Sequence, residues 1–430
     1  MSASLRDVDV EIEATAEQLA KLSTICQRML ATTAFDGTQW LPASPASERA
    51  AGSWKKGNAP AFKYMGEVVP IIPWANISWL KETKKKVPSG FCATKKGGTE
   101  AAARESTAVA HDIPTSIGSG AMAVVAMARI RSDDGGRTSP GGLSPEQVVA
   151  VKILKREIAA IEREARCFAR EVALLRQLSH KHLLRCHGCG AGPESRPFCL
   201  LELIEETVFE ALRLNECSSS PPAARAVRAA WSDADRFRLA FELAQALAHL
   251  HDHAFPGYSV VHRDLKPDNM GIDANRSLKL FDLGLATLVA APDGTKRGAE
   301  ETFRLTPETG TQRYLAPESM LHQPYNAKVD VYAWGLATVE MLTLERPYAS
   351  YSAREHREAV CPPRNKRPPV SKKWDARLSA PIEASWHKDI ANRPSMAEIV
   401  AALKPMVGSE DILKAQSGGG LFGMFGKKKK

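Results

Sequence analysis

No uninterrupted apolar run in this 430-residue chain approaches the roughly 20 residues that a membrane-spanning helix needs. A basic leader is missing as well. The first 20 residues carry Asp7, Asp9, Glu11, Glu13 and Glu17 against Arg6, a net charge of −4, whereas signal and transit peptides are basic or poor in acids. Cysteine is sparse, with eight residues scattered over the chain, which excludes a small disulfide scaffold and suits free thiols in a reducing compartment. The expected address is therefore the cytoplasm, with the nucleus as the alternative. One tight group of metal-ligating types exists: His180, His182, Cys186, His187 and Cys189, with CxxC spacing between the cysteines. It lacks a second ligand pair at finger spacing, and an extended segment would send neighbouring side chains to opposite faces, so zinc is not expected.

What remains is globular in composition, 44% hydrophobic and 25% charged, and long enough for two or three cores. The net charge of +9 is uneven. Residues 52–100 carry nine lysines against three glutamates, a local +6. Such a run could meet nucleic acid or an acidic surface, but no nucleic-acid motif accompanies it, and a solvated face is the plainer reading. No nucleic-acid partner is expected.

Three regions separate along the chain. Residues 1–110 form an N-terminal extension: Leu19, Leu22, Cys26, Met29 and Leu30 recur at helical spacing within 11–30, and a Pro-, Gly-, Ser- and Lys-rich stretch with Trp40, Trp54, Trp74 and Trp79 follows. No fold is assigned to this extension. From 112 to 405, short β-like runs (AVVAMARI, VVAVKILK, FCLLELI) surround one helical pattern in which Phe168, Val172, Leu175 and Leu178 share a face. Long helical patterns then take over, as in FRLAFELAQALAHLHDH and VDVYAWGLATVEMLTL. The expected fold class is α+β with two lobes: a small antiparallel β-sheet lobe with one main helix, and a larger, mostly helical lobe. Residues 406–430 read as a flexible basic tail ending SGGGLFGMFGKKKK. Weak contact with an anionic membrane is the alternative to a solvated tail, and the solvated reading is favoured.

The residues that carry chemistry come in a fixed order. In SIGSGAMAVV, Gly118 and Gly120 would let a strand-turn-strand bring backbone N–H groups close to phosphate oxygens. Lys152 follows in VAVK, where a buried ammonium needs a partner, and Glu171 lies 19 residues on, on the predicted helix. Asp264 and Asp282 come next, 18 residues apart, with Asn269 between them. Singly each has a bland reading: any tight hairpin, an edge-strand lysine, an exposed helix charge.

Together with HRDLKPDN (His262 to Asn269), DLG (Asp282 to Gly284), APE (Ala316 to Glu318), DVYAWG (Asp330 to Gly335) and ANRPS (Ala391 to Ser395), they make the chain resemble the eukaryotic-type protein kinases over roughly 112–405. The Ser/Thr class fits best, since Lys266 stands in LKP and Thr311 in GTQRYLAPE, and VVAVKILK, TGTQRYLAPE and SWHKDIANRPS resemble its tyrosine-kinase-like branch. The resemblance implies ATP and Mg²⁺ as cofactors and protein substrates as partners. It makes Asp264 the residue that orients the substrate hydroxyl, places Lys266 by the transferring phosphate, and assigns Asn269 and Asp282 to the metal. Ile117, Gly118, Ser119, Gly120, Val125, Ala150, Lys152, Glu171, Glu202 and Ile204 are implied at the nucleotide, with Lys152 paired to Glu171, the backbone of Glu202 and Ile204 meeting adenine, and Leu201 as gatekeeper. It also pairs Glu318 with Arg393, sets Asp330 beneath the catalytic loop and gives Arg263 a phosphate from the loop between DLG and APE, where Thr302, Thr306 and Thr309 lie. Departures are Met122 and Ala123 in the glycine turn, Leu283 in DLG, and Gly271, where the family usually has a leucine under adenine, so that Met270 or Ile272 is expected to form that floor. A pseudokinase scaffold, an adaptor acting through the extension and a dual-specificity kinase are the alternatives.

Overall fold

The computed structural model describes residues 33–35, 40–42, 77–79, 116–119, 123–130, 147–192, 196–255, 257–290, 301–372 and 374–408. The predicted helix at 11–30, Trp54, Trp74, the turn tip from Gly120 to Met122 and the apolar-basic tail lie outside these residues. Among the described residues no helix is long and apolar enough to cross a membrane.

The extension contributes three short strands, β1 (Thr33–Phe35), β2 (Trp40–Pro42) and β3 (Ile77–Trp79). Strands β1 and β2 pair antiparallel with each other. The main sheet is built from β4 (Ser116–Ser119), β5 (Ala123–Ile130), β6 (Val148–Leu154), β7 (Cys186–Ala191) and β8 (Pro197–Leu201). Its order is β3-β5-β6-β8-β7, with β4 also on β5, and every pairing is antiparallel.

Strand alternation sorts its residues onto two faces. Val149, Val151 and Ile153 join Ile77, Ala126, Ala128, Ile130, Phe198 and Leu200 in one cluster. Ala150 and Leu154 face the other way, into the larger core with Phe168, Val172, Leu175 and Leu178 of helix α1 (Glu162–Gln177) and its C-cap. Lys152 shares this second face, which is why a lysine in a strand points at a helix.

The helical part is organised on α3 (Asp233–Asp252), which follows α2 (Pro221–Ala230), and on α4 (Lys328–Thr343). Ser232 and Asp235 form a reciprocal capping box that starts α3. Every residue of α4 from Val329 to Leu342 is buried, so this helix is core all round rather than amphipathic. The Trp334 Nε1–H donates to the Ala240 carbonyl at 3.0 Å and ties α4 to α3. Around them lie α5 (Ala353–Val360), α6 (Ala376–Ser385) and α7 (Met396–Leu403).

Small strands carry the loops of interest: β9 (Glu206–Thr207), β10 (Tyr258–Val261), β11 (Met270–Ile272), β12 (Leu278–Leu280) and β13 (Thr287–Ala290). Pairing of Val261 with Thr287 and of Met270 with Leu280 forces the 262–269 loop and the 281–286 turn to emerge side by side. The sheet part is stitched to this end by the Leu280 N–H on the His182 carbonyl at 2.8 Å and by the Leu184 N–H on the Leu280 carbonyl at 2.9 Å.

Candidate active site

Asp264 is 8% exposed, and both of its oxygens are engaged. Oδ1 accepts from the Thr311 N–H at 2.8 Å and the Thr311 hydroxyl at 2.7 Å. Oδ2 accepts from Lys266 Nζ at 2.7 Å and Asn269 Nδ2 at 3.1 Å. Lys266 also reaches the Thr311 hydroxyl, at 2.9 Å. Burial alone would raise the Asp264 pKa; Lys266 and the Thr311 hydroxyl overcome it and hold the carboxyl below the ordinary range. The group is therefore a fixed, charged acceptor rather than a strong base.

The second carboxylate sits across from a buried ion pair. Lys152 Nζ lies 2.8 and 2.9 Å from the two Glu171 oxygens. Burial works to lower the lysine's pKa, but Glu171 and the field of Asp282 outweigh it and keep the ammonium charged. Asp282 itself is half-buried and takes no hydrogen bond among the described residues. Asn269, 1% exposed, turns its Nδ2 to Asp264, at both the carboxylate and the backbone carbonyl, which leaves its amide oxygen free of that network. A carboxylate without donors and an amide oxygen are hard oxygen ligands, the donor set Mg²⁺ takes when substrate phosphates complete its shell. No group of three or more His, Cys, Asp or Glu able to hold an ion occurs among the described residues, and such a shared shell needs none.

Both loops are held in an unusual backbone geometry. Arg263 (φ 68°) and Asp282 (φ 66°) are left-handed without being glycine, at a cost on the order of 1–2 kcal/mol each. Asp330 of α4 offsets this on one side, because its two oxygens accept from the amides of His262 at 2.7 Å and Arg263 at 2.9 Å. The ring of His262 then bridges the loops, with Nε2 3.1 Å from the Phe281 carbonyl. Further out, Arg393 and Glu318 form a buried bidentate pair, 2.6 and 2.8 Å, across 75 residues. The supports expected for Asp330 and Glu318 are thus present as contacts.

Most of the residues expected at the nucleotide lie on neighbouring strands of the main sheet. Gly118 and Ser119 pair with Val125 and Val124, Val125 lies directly across from Lys152, and Ala150 across from Leu201. Ile117 belongs to the same strand, β4. After β8 the chain runs through Glu202, whose N–H donates to the Arg185 carbonyl, and the Glu205 N–H donates to the Ile272 carbonyl. The Ile204 N–H has no partner among the described residues.

The space beside Gly271 is filled from another segment. Met270 and Ile272 alternate away from the face of Gly271, so neither fills the space beside that glycine. Ile204 does: a Cβ on Gly271 would lie 2.7 Å from Ile204 Cδ1. Within the His/Cys group the His180 and His182 rings lie 5.5 Å apart edge to face, while His180 also stacks on His249 and His182 Nδ1 lies 3.2 Å from the Leu278 carbonyl.

Two features were not foreseen. Glu340 is fully buried, accepts the Tyr314 hydroxyl at 2.5 Å, and is pushed up to about 7 by burial, with Asp268 adding to the shift. Its signal was a glutamate in the mainly apolar VYAWGLATVEML. The Arg170 pKa is lowered by burial, with the charge of Arg263 adding to the shift.

A small sheet with one long helix, a helical body, and two carboxylates with an Asn and a Lys between them define a phosphoryl-transfer type of site. The chain belongs to the protein tyrosine and serine/threonine kinase family, whose family model matches residues 112–403. It is similar to serine/threonine-protein kinase STY46 of Arabidopsis thaliana, 29% identical over 283 residues, 64% of this chain and 44% of the relative. Similarity extends to serine/threonine-protein kinase CTR1 of the same plant, 28% over 264 residues, 61% and 29% of the two chains. Dual specificity protein kinase shkC of Dictyostelium discoideum is 30% identical over 268 residues, 62% and 48%. The chain thus spans less than half the length of these relatives.

Proposed function

We propose that this chain is a Mg²⁺- and ATP-dependent kinase that phosphorylates serine and threonine hydroxyls of proteins. The observation that carries the reading is Asp264, charged and fixed at both oxygens by Thr311, Lys266 and Asn269. Phosphoryl transfer asks little covalent work of a protein; it asks for an aimed hydroxyl and for charge on the transferring oxygens to be neutralised. Asp264 orients the substrate hydroxyl and accepts its proton as the hydroxyl oxygen bonds to the γ-phosphorus and the bond to the bridging oxygen of ADP breaks. Lys266, beside Asp264, is placed to stabilise the phosphate in flight. Lys152, fixed by Glu171, holds the α- and β-phosphates. Asp282 and the Asn269 oxygen would hold Mg²⁺, which supplies charge neutralisation across the phosphates when bound.

Thr311 supports serine and threonine by resemblance, since it matches the threonine that Ser/Thr kinases set against this aspartate, and its hydroxyl and amide do meet the Asp264 carboxylate. The reading includes control by phosphorylation between Asp282 and Glu318. Thr302 and Thr306 are exposed there, and Arg263, next to Asp264, is the guanidinium that would receive the phosphate. The test is incubation with Mg²⁺-ATP and a generic acceptor protein, followed by phosphoamino-acid analysis and mass spectrometry of the chain itself. Phosphoserine and phosphothreonine are expected in the acceptor, with Thr302 or Thr306 modified. Phosphotyrosine in equal measure would support dual specificity instead, and no transfer would favour a scaffold.

A further inference from the structure

The edge of β5 is shared by two strands that are far apart in sequence. Strand β4 covers its first half, with Ser116 opposite Ala126 and Ser119 opposite Val124. Strand β3, from the extension, covers the second half, with Ile77 opposite Ile130, Ser78 opposite Arg129 and Trp79 opposite Ala128. Continuing the register of Ser116 with Ala126 backwards would set Pro114 opposite Ala128, the place that Trp79 takes. Proline has no N–H to give a ladder, so β4 is poorly made to extend there, and the edge needs another strand. Ile77 closes the arrangement from the side. It is 7% exposed and belongs to the cluster of Ala126, Ala128, Ile130, Val149 and Val151 on one face of the sheet.

We propose that residues 77–79 are a working strand of the small lobe, and that nucleotide affinity depends on their docking although they lie outside the family match. Strand β5 begins immediately after the glycine turn, and its Val125 stands across from Lys152. Without β3, the half of β5 from Ala128 to Ile130 is an open edge with a partly uncovered apolar face, and the strand that anchors the turn is free to fray. Coupling of this kind is reciprocal: bound nucleotide must favour the docked strand as much as the docked strand favours nucleotide.

The inference rests on the kinase reading for its ligand, and the test separates the two. In the full chain, Ile77→Asp and the milder Ile77→Ala are compared with Ile77→Val. Amide hydrogen exchange of β5 is followed without nucleotide, and Mg²⁺-ATP affinity is measured by equilibrium binding. Ile77→Asp is expected to speed exchange at 128–130 while α4 stays protected, and to weaken ATP roughly fivefold or more, the lower end for coupled sites. Ile77→Ala should move the same way by less, and Ile77→Val should change neither. Added Mg²⁺-ATP should slow exchange at 77–79 in the parent chain. Unchanged exchange at 128–130 in Ile77→Asp would overturn the docking, and faster exchange with unchanged affinity would overturn the coupling. A parent chain that binds no nucleotide would sink the kinase reading and the coupling, while the exchange comparison still decides whether the strand is docked.

Discussion

Glu340 and Asp264 are both buried carboxylates, and they answer pH with opposite sign. The Asp264 pKa is depressed in the folded chain, so its contribution to stability is present above the ordinary aspartate range and is lost as pH falls through the lower folded value. Glu340 is raised by burial from near 4.5 to about 7, so the folded chain prefers its protonated form. Its contribution is fully present below pH 4.5 and is lost as pH rises through 7. The shift corresponds to roughly 3 kcal/mol over that window. Glutamine copies the protonated acid, so Glu340→Gln should lose less stability than the parent between pH 5 and 8 in denaturant titrations. Equal pH slopes in the two proteins would contradict this assignment. Because the Tyr314 hydroxyl donates to Glu340 and Tyr314 follows Thr311 by three residues, the same proton lies beneath the segment that holds Asp264.

Among the elements, α4 does several jobs with one buried surface. Its Asp330 holds the amides of His262 and Arg263, its Trp334 reaches α3, and its Gly335 lets α6 approach. A Cβ at Gly335 would come within 1.9 Å of Ser385 Oγ and 3.1 Å of the Trp386 ring. The Ser385 hydroxyl is committed to the Ile382 carbonyl at 2.6 Å and cannot turn away without losing that bond. Overpacking of this kind typically costs about 1–3 kcal/mol. Gly335→Ala should therefore melt lower than the parent, and adding Ser385→Ala should recover part of the loss. A Gly335→Ala protein that melts like the parent would mean the helices are not in this contact.

At the scale of the whole molecule, what could be read in the sequence was what local pattern encodes. The alternation of AVVAMARI and VVAVKILK and the helical face of Phe168, Val172, Leu175 and Leu178 lie in short windows, and the described elements follow them, whereas the order Lys152, Glu171, Asp264, Asn269, Asp282 was legible through the motifs that carry the family resemblance. The features missed are contacts between segments whose local patterns are silent about each other. Nothing in the three residues Ile77 to Trp79 names β5 as their partner. Gly271 was visibly unusual, but the side chain that fills its space, Ile204, comes from a connection 67 positions earlier in the chain. Glu340 could be flagged as a charge in an apolar helix, yet its partner Tyr314 could not.

The central claim is that Asp264 orients the accepting hydroxyl while other groups hold the nucleotide. It is tested most directly by single-turnover phosphoryl transfer in Asp264→Asn, with Mg²⁺-ATP affinity measured on the same preparation. The account predicts a rate lower by about 10² to 10⁴, the range for one acid–base group, with nucleotide affinity kept. Transfer at a near-parental rate in Asp264→Asn would contradict it.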